Sequence, residues 1–355
     1  MAAVAGCGPP QIARALEDRP DDDATDYQVH FMYVVPSDAP DEGRDTDGTL
    51  ERSISSIQGW LSKVTQGRTR TLGVDVFEGR PDVTFVRLSR TNAEVRAHGE
   101  MTRATIETEL RARGFDDARN LYAVFYEGEG DQCGAGSWPP EIPGNYGVLF
   151  LRGDPTGRNP CELAFTPSAD GPLYADFAIL HEIVHTLGVV GRCAPNHTRR
   201  GHVSDSVADL MYSGSSAWRP AALDVGRNDY FDHGRPDCLD LARSAFLRPV
   251  PASPELPPGW PYVPAPTRSC AEERSVAAEP HQVIGQVQFT NLTPGTTRVY
   301  RLDAEGDRHL SHTLRPFGVA TDLAQAAHAW TVTDLGDRCL AVFTAVEGWA
   351  RASVR

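Results

Sequence analysis

The residues whose spacing carries the most chemistry are His181, Glu182 and His185, in the stretch HEIVHTLG. Histidines four apart on a helix project from one face, about one turn from each other. Both imidazoles can then reach a single Zn2+ at about 2.0–2.1 Å. Glu182, next to the first histidine, is placed to act as general base on a water at the ion. Phe177, Leu180, Ile183, Val184 and Leu187 flank the trio, so the rest of this helix is expected to face a core. Three protein ligands with one open position would make the site catalytic in type rather than structural.

Further along, the chain reads DLMY at 209–212. HEIVHTLG followed by DLMY resembles the metzincin clan of zinc peptidases. The resemblance implies that Gly188 ends the helix, that the chain swings back with a third ligand, and that Met211 forms a turn under the metal. Three residues after Gly188, where the clan places His or Asp, stands Gly191, which has no side chain. The segments CAP, GHVSD, DLMY and LDVGRNDYF are similar to bacterial secreted metzincin-like proteins with an insertion at this point. An insertion leaves His197, His202 and Asp205 as candidate ligands. His202 is favoured, because Gly201 before it permits a close backbone approach and because it lies nearer Met211. Asp205 would then accept the other ring N–H of His202, and His197 would be solvated. A tyrosine two residues past the methionine often assists the oxyanion in the clan. Here Tyr212 stands one residue past it, with Tyr230 as a second choice. Asp224, Asp229 and Asp232 fit no EF-hand spacing and read as a solvated acidic loop.

Several elements must position this site. YQVHFMYVVP, LGVDVF, VTFVRL, LYAVFYEG and YGVLFLRG read as strands. Leu50, Ile54, Ile57, Leu61 and Val64 recur with the helical period, MTRATIETELRARGF reads as a second helix, and YADFAILHEIVHTLG carries the motif. This order predicts an α+β chain, with a tether over 1–26 and a mixed-sheet domain over 27–248 that the resemblance implies is metzincin-like. A proline-rich linker over 249–269 and a small all-β sandwich over 270–355 would follow. From Phe289 to Asp334 the sandwich resembles the β domain of the von Hippel–Lindau tumour suppressor. The matching positions are Asn291, Thr293, Val299, Leu302, Gly306, Leu314, Pro316, Gly318, His328 and Trp330. In that family a histidine and a tryptophan line a hydroxyproline pocket, which implies one at His328 and Trp330. The pocket's tyrosine falls at Ser311, and core packing is the competing reading.

Composition narrows the partners. The net charge of −14 and pI near 5.2 argue against nucleic acid and anionic lipid surfaces. No run of eighteen apolar residues is present to span a membrane. Lys63 is the only lysine against 33 arginines, which points to a GC-rich, bacterial genome. None of the seven cysteines forms a C-x-x-C pair. Six of them, paired in order as Cys133–Cys161, Cys193–Cys238 and Cys270–Cys339, fit three disulfides and an extracytoplasmic compartment. Cys7 ends VAGC, which resembles a bacterial lipobox and implies a lipid anchor, although MAAVAG supplies no basic or apolar leader. The expectation is therefore an extracytoplasmic zinc endopeptidase acting on protein or peptide. The alternative is an adhesive or scaffold protein that keeps zinc without turnover; an intact Glu182 argues for turnover.

Overall fold

The computed structural model describes residues 12–20, 22, 26–65, 70–97, 99–158, 161, 172–260, 263–276, 283–316 and 318–354. Cys7 lies outside them. The fold is α+β, and the chain divides into two compact units: Met1–Glu100 with Arg119–Pro258, and Met101–Ala118 with Gly259–Arg355.

In the first unit the longer elements run β1 (Gln28–Val35), α1 (Thr49–Val64), β2 (Val83–Arg87) and α2 (Asn92–Arg96). The helix α3 (Thr102–Ala112) comes next in sequence but groups with the second unit. The first unit resumes with β3 (Asn120–Tyr126), β4 (Gly134–Trp138), β5 (Ile142–Phe150) and α4 (Tyr174–Thr186). One sheet takes the order β2-β1-β3-β5-β4, parallel except for β4, which runs antiparallel at the edge. The central strands β1 and β3 are buried at every residue, as near-continuous apolar runs in a parallel sheet should be. Leu50, Ile54, Ile57 and Leu61 of α1 are buried, and the Trp60 ring meets Phe177 of α4 edge-on at 5.1 Å. The expected tether is ordered over its described part. Ala15 bridges Thr84 in parallel and accepts the Phe85 N–H at 2.8 Å. Arg14 and Arg19 anchor this strap on Asp45 and Asp82, ion pairs that an acidic-tether reading overlooks.

The second unit is a β-sandwich of β6 (Val283–Asn291), β7 (Thr297–Leu302), β8 (Arg308–Leu314), β9 (Val319–Gln325), β10 (Ala329–Asp334), β11 (Cys339–Thr344) and β12 (Gly348–Val354). One sheet orders β12-β6-β9 and the other β11-β10-β7-β8. Phe289, Val299, Leu314, Trp330, Val332 and Phe343 fill the space between them. From Gly259 on, the proline-rich stretch is built into this unit rather than standing clear of it. Val263–Pro264 pairs with β12 and Thr267–Arg268 with β11, both at sheet edges, where proline is tolerated.

Cys133–Cys161, Cys193–Cys238 and Cys270–Cys339 are disulfide-bonded. Among the described residues no helix is long and apolar enough to cross a membrane.

Candidate metal centre

Helix α4 reaches the sheet through a run of missing side chains. A Cβ on Gly134 would lie 2.5 Å from Glu182 Oε1, and one on Gly136 2.7 Å from the Glu182 carbonyl oxygen. One on Gly147 would lie 3.0 Å from the Glu182 carbonyl carbon, and Gly147 is the ladder partner of Gly136. Strands β4 and β5 thus form a glycine-lined bed for the turn of α4 that carries the motif, and Glu182 lies buried in it. These glycines also explain why β4, read as GAGSW, lacks a strand signature. The i, i+2 spacing of Gly134 and Gly136 puts both on one face and was the available clue.

The helix stops at Gly188, whose φ of +74° any side chain would strain. The chain then makes a short antiparallel bridge, His197 to Val203, with Gly201 at its tip. Trp138 at the end of β4 is the pillar under this insertion. Its Nε1–H donates to the Val189 carbonyl at 3.0 Å, its ring stacks on His197 at 5.6 Å, and a Cβ on Gly201 would lie 2.4 Å from Nε1. His197 Nδ1 bonds the Val190 carbonyl at 3.0 Å, so His197 is fixed by the loop rather than solvated. The tip delivers His202, whose Nε2 lies 3.3 Å from His181 Nε2 and 3.2 Å from His185 Nε2.

Hydrogen bonds set two of these tautomers. A carbonyl oxygen can only accept, so His181 Nδ1, 2.7 Å from the Leu210 carbonyl, carries its ring proton. His202 Nδ1, 3.0 Å from the Arg199 carbonyl, does the same. Both Nε2 atoms are then bare lone pairs facing each other. His185 Nδ1 is buried and has no hydrogen-bond partner among the described residues. Burial, reinforced by the neighbouring His202, holds His181 down to about 3; burial likewise keeps His185 and His202 below the usual histidine range. All three are therefore neutral at pH 7, the form that binds a metal.

Asp205 is exposed and does not belong to this cluster; the second bond of His202 goes to Arg199 instead. Met211 is wholly buried in a turn over 209–212, where Tyr212 N–H donates to Asp209 O at 3.3 Å. The turn bonds directly to the His202 tip, with Val203 N–H donating to Met211 O at 3.0 Å. Tyr212 leans away over Gly214, its hydroxyl accepting the Ser216 N–H at 3.4 Å. Tyr230 is buried and donates to Asp209 Oδ1 at 2.8 Å. The acids expected in solvent are engaged. Asp224 accepts N–H groups of residues 228 to 231, and Asp229 holds Asn196 through its backbone and side-chain amides. Burial lifts the Asp209 carboxyl to about 7 despite the bonds it accepts. Trp218 packs its ring edge-on to His181 at 5.6 Å and to Tyr174 at 5.3 Å. Trp138, Trp218 and Asp209 were not singled out from sequence.

A second cluster in this unit gathers Asp18, His30, Asp75 and Asp82. His30 is fully buried, with Nδ1 2.5 Å from Asp75 Oδ2 and Nε2 3.0 Å from Thr84 Oγ1. Burial opposes a charge on His30, but the bond to Asp75 and the nearby Asp18 and Asp82 raise its pKa above the ordinary value.

In the sandwich, Trp330 is wholly buried and donates to Asp322 Oδ2 at 2.9 Å. His328 is buried against its ring at 5.4 Å and accepts the Gln325 N–H at 3.3 Å. Both side chains are packing residues, and Ser311 stands on β8.

No protein-family model matches the chain, and no curated protein matches it. Among solved structures the chain is similar to catalytically inactive OgpA from Akkermansia muciniphila in complex with an O-glycopeptide (glycodrosocin) substrate. The identity is 14%, over 93% of this chain and 96% of that one, with a TM-score of 0.31, a likeness too slight to assign fold or function.

Proposed function

We propose that His181, His185 and His202 hold a zinc ion and that the protein is an extracytoplasmic, metzincin-like zinc endopeptidase. The observation that carries this reading is the convergence of His202 Nε2 on the Nε2 atoms of His181 and His185, at 3.3 and 3.2 Å. A tetrahedron with metal–nitrogen bonds of about 2.0–2.1 Å has edges of about 3.3–3.4 Å. Two of these nitrogens face each other as lone pairs, so they cannot hydrogen-bond to one another, and a cation between them would satisfy both. Nitrogen ligands alone, in tetrahedral spacing, suit zinc better than calcium or magnesium, which take oxygen.

A bound zinc supplies Lewis acidity and activates water. The protein's own work falls to Glu182, fixed beside the cluster on its glycine bed. It takes a proton from the attacking water and returns it to the leaving amine. Helix α4 and the His202 tip hold the ligands in place, and Trp218 walls the His181 side. Three disulfides agree with an oxidising compartment.

Glu182→Gln should keep zinc at wild-type stoichiometry by elemental analysis while cleavage of unstructured protein substrates falls by about 10²–10⁴-fold. Turnover undiminished in that variant would sink the mechanism.

A further inference from the structure

The turn over 209–212 is held by a carboxylate whose partners all lie in the same stretch of chain. Asp209 Oδ1 accepts the Met211 N–H at 2.8 Å and the Tyr230 hydroxyl at 2.8 Å; Oδ2 accepts the Val225 N–H at 2.9 Å. Its own carbonyl accepts Trp218 Nε1–H at 3.0 Å, and Leu210 N–H donates to Ala222 O at 3.1 Å. Tyr230 is anchored in turn, its N–H donating to Asp224 Oδ2 at 2.7 Å. Leu210, between Asp209 and Met211, is thereby left one rigid carbonyl direction, toward His181 Nδ1 at 2.7 Å.

We propose that Asp209 and Tyr230 form a clasp that orients His181: by fixing the turn, they aim the Leu210 carbonyl at Nδ1 and keep Nε2 bare and turned into the cluster. Both are positioning residues, acting through Leu210 and touching neither substrate nor ion. The clasp rests on the zinc reading only for its effect on affinity, since it acts on the imidazole itself. A buried carboxylate serves here because it can accept three hydrogen bonds at once. An asparagine of the same shape turns an NH2 toward one of three donors and leaves that donor unpaired.

The test uses the metal-free full chain and reads the His181 ring nitrogens by long-range ¹H–¹⁵N correlation, then zinc affinity by competition with a chelator. Wild type should show one tautomer, protonated at Nδ1. Asp209→Asn should give a tautomer mixture and weaken zinc by about 10–100-fold, the range for losing a partner that orients a ligand. Tyr230→Phe removes one hydroxyl and should loosen the same signals less; it carries the test if Asp209→Asn does not fold. Asp75→Asn, a buried carboxylate change in the other cluster, should lower the melting temperature and leave the His181 signals alone. His181 signals unchanged in both clasp variants, or disturbed equally by Asp75→Asn, would overturn the clasp. A variant-sensitive His181 in a protein that takes no zinc would uphold the clasp and remove the zinc reading.

Discussion

Two groups of histidine lie in the same unit, and their surroundings drive them in opposite directions. The cluster of His181, His185 and His202 brings imidazole nitrogens together, whereas His30 sits among Asp18, Asp75 and Asp82. In the first group burial holds all three below the usual histidine range, as lone-pair donors. With carboxylates on hand, the same desolvation is outweighed and the His30 pKa rises above its ordinary value. Residue types that read alike in a sequence thus form a converging set of imidazoles in one place and a buried histidine–carboxylate pair in the other. The distinction lies in where the ring nitrogens point. Three converge on a shared space, while both nitrogens of His30 already end on Asp75 and Thr84.

The sharpest way to break this contrast is to remove one converging nitrogen. His202→Ala should weaken zinc by more than about 100-fold, beyond what losing an orienting partner does; wild-type affinity by competition titration would dissolve the distinction. His30→Gln should do the reverse. It leaves a buried carboxylate without its partner and should lower stability by about 3–5 kcal/mol in urea unfolding, with zinc affinity unchanged.

The same histidine predicts a pH dependence whose sign follows from its raised pKa. The folded state holds the proton more tightly than the unfolded chain, so the stabilisation is complete below the unfolded value of about 6.5. It is lost as pH rises through the higher folded value. Melting temperatures of the metal-free protein should fall across that window, and His30→Gln should flatten the fall; parallel curves would refute the assignment. The smallest effect belongs to His197, which stacks on Trp138 and stays outside the converging set. His197→Ala should destabilise by about 0.5–1.5 kcal/mol, the worth of a ring pair, and leave zinc binding intact by the same titration.

Much of the site could be read from the sequence because helical spacing is a local rule. The pairing of His181 with His185 follows from four-residue periodicity, whereas His202 was only favoured over His197 and Asp205, by Gly201 before it and its nearness to Met211. That Asp205 stands exposed, outside the cluster, could not be read, because a loop side chain takes its direction from contacts that no local pattern marks. The Asp209 clasp was hidden for a related reason. Its partners are mostly backbone N–H groups, which every residue but proline carries and no sequence pattern marks. At the level of fold, buried strands such as β1 and β3 announce themselves through apolar runs. The edge strand β4 does not, since its glycines answer to a neighbouring helix. Helix α3 was legible as a helix, but its grouping with residues 259–355 rests on contacts far apart in the chain.

The Cys193–Cys238 crosslink has a consequence in chain entropy. It closes a stretch with a sequence separation of 45, and His202, Asp209, Met211, Asp224 and Tyr230 all fall inside. In the chain-entropy account, closing a loop of that size removes about 4 kcal/mol of freedom from the unfolded ensemble. The third histidine therefore starts from a tethered search rather than an open one. Bringing it to the other two draws on that crosslink, so the binding energy of the proposed zinc would be left to hold the site rather than to gather it.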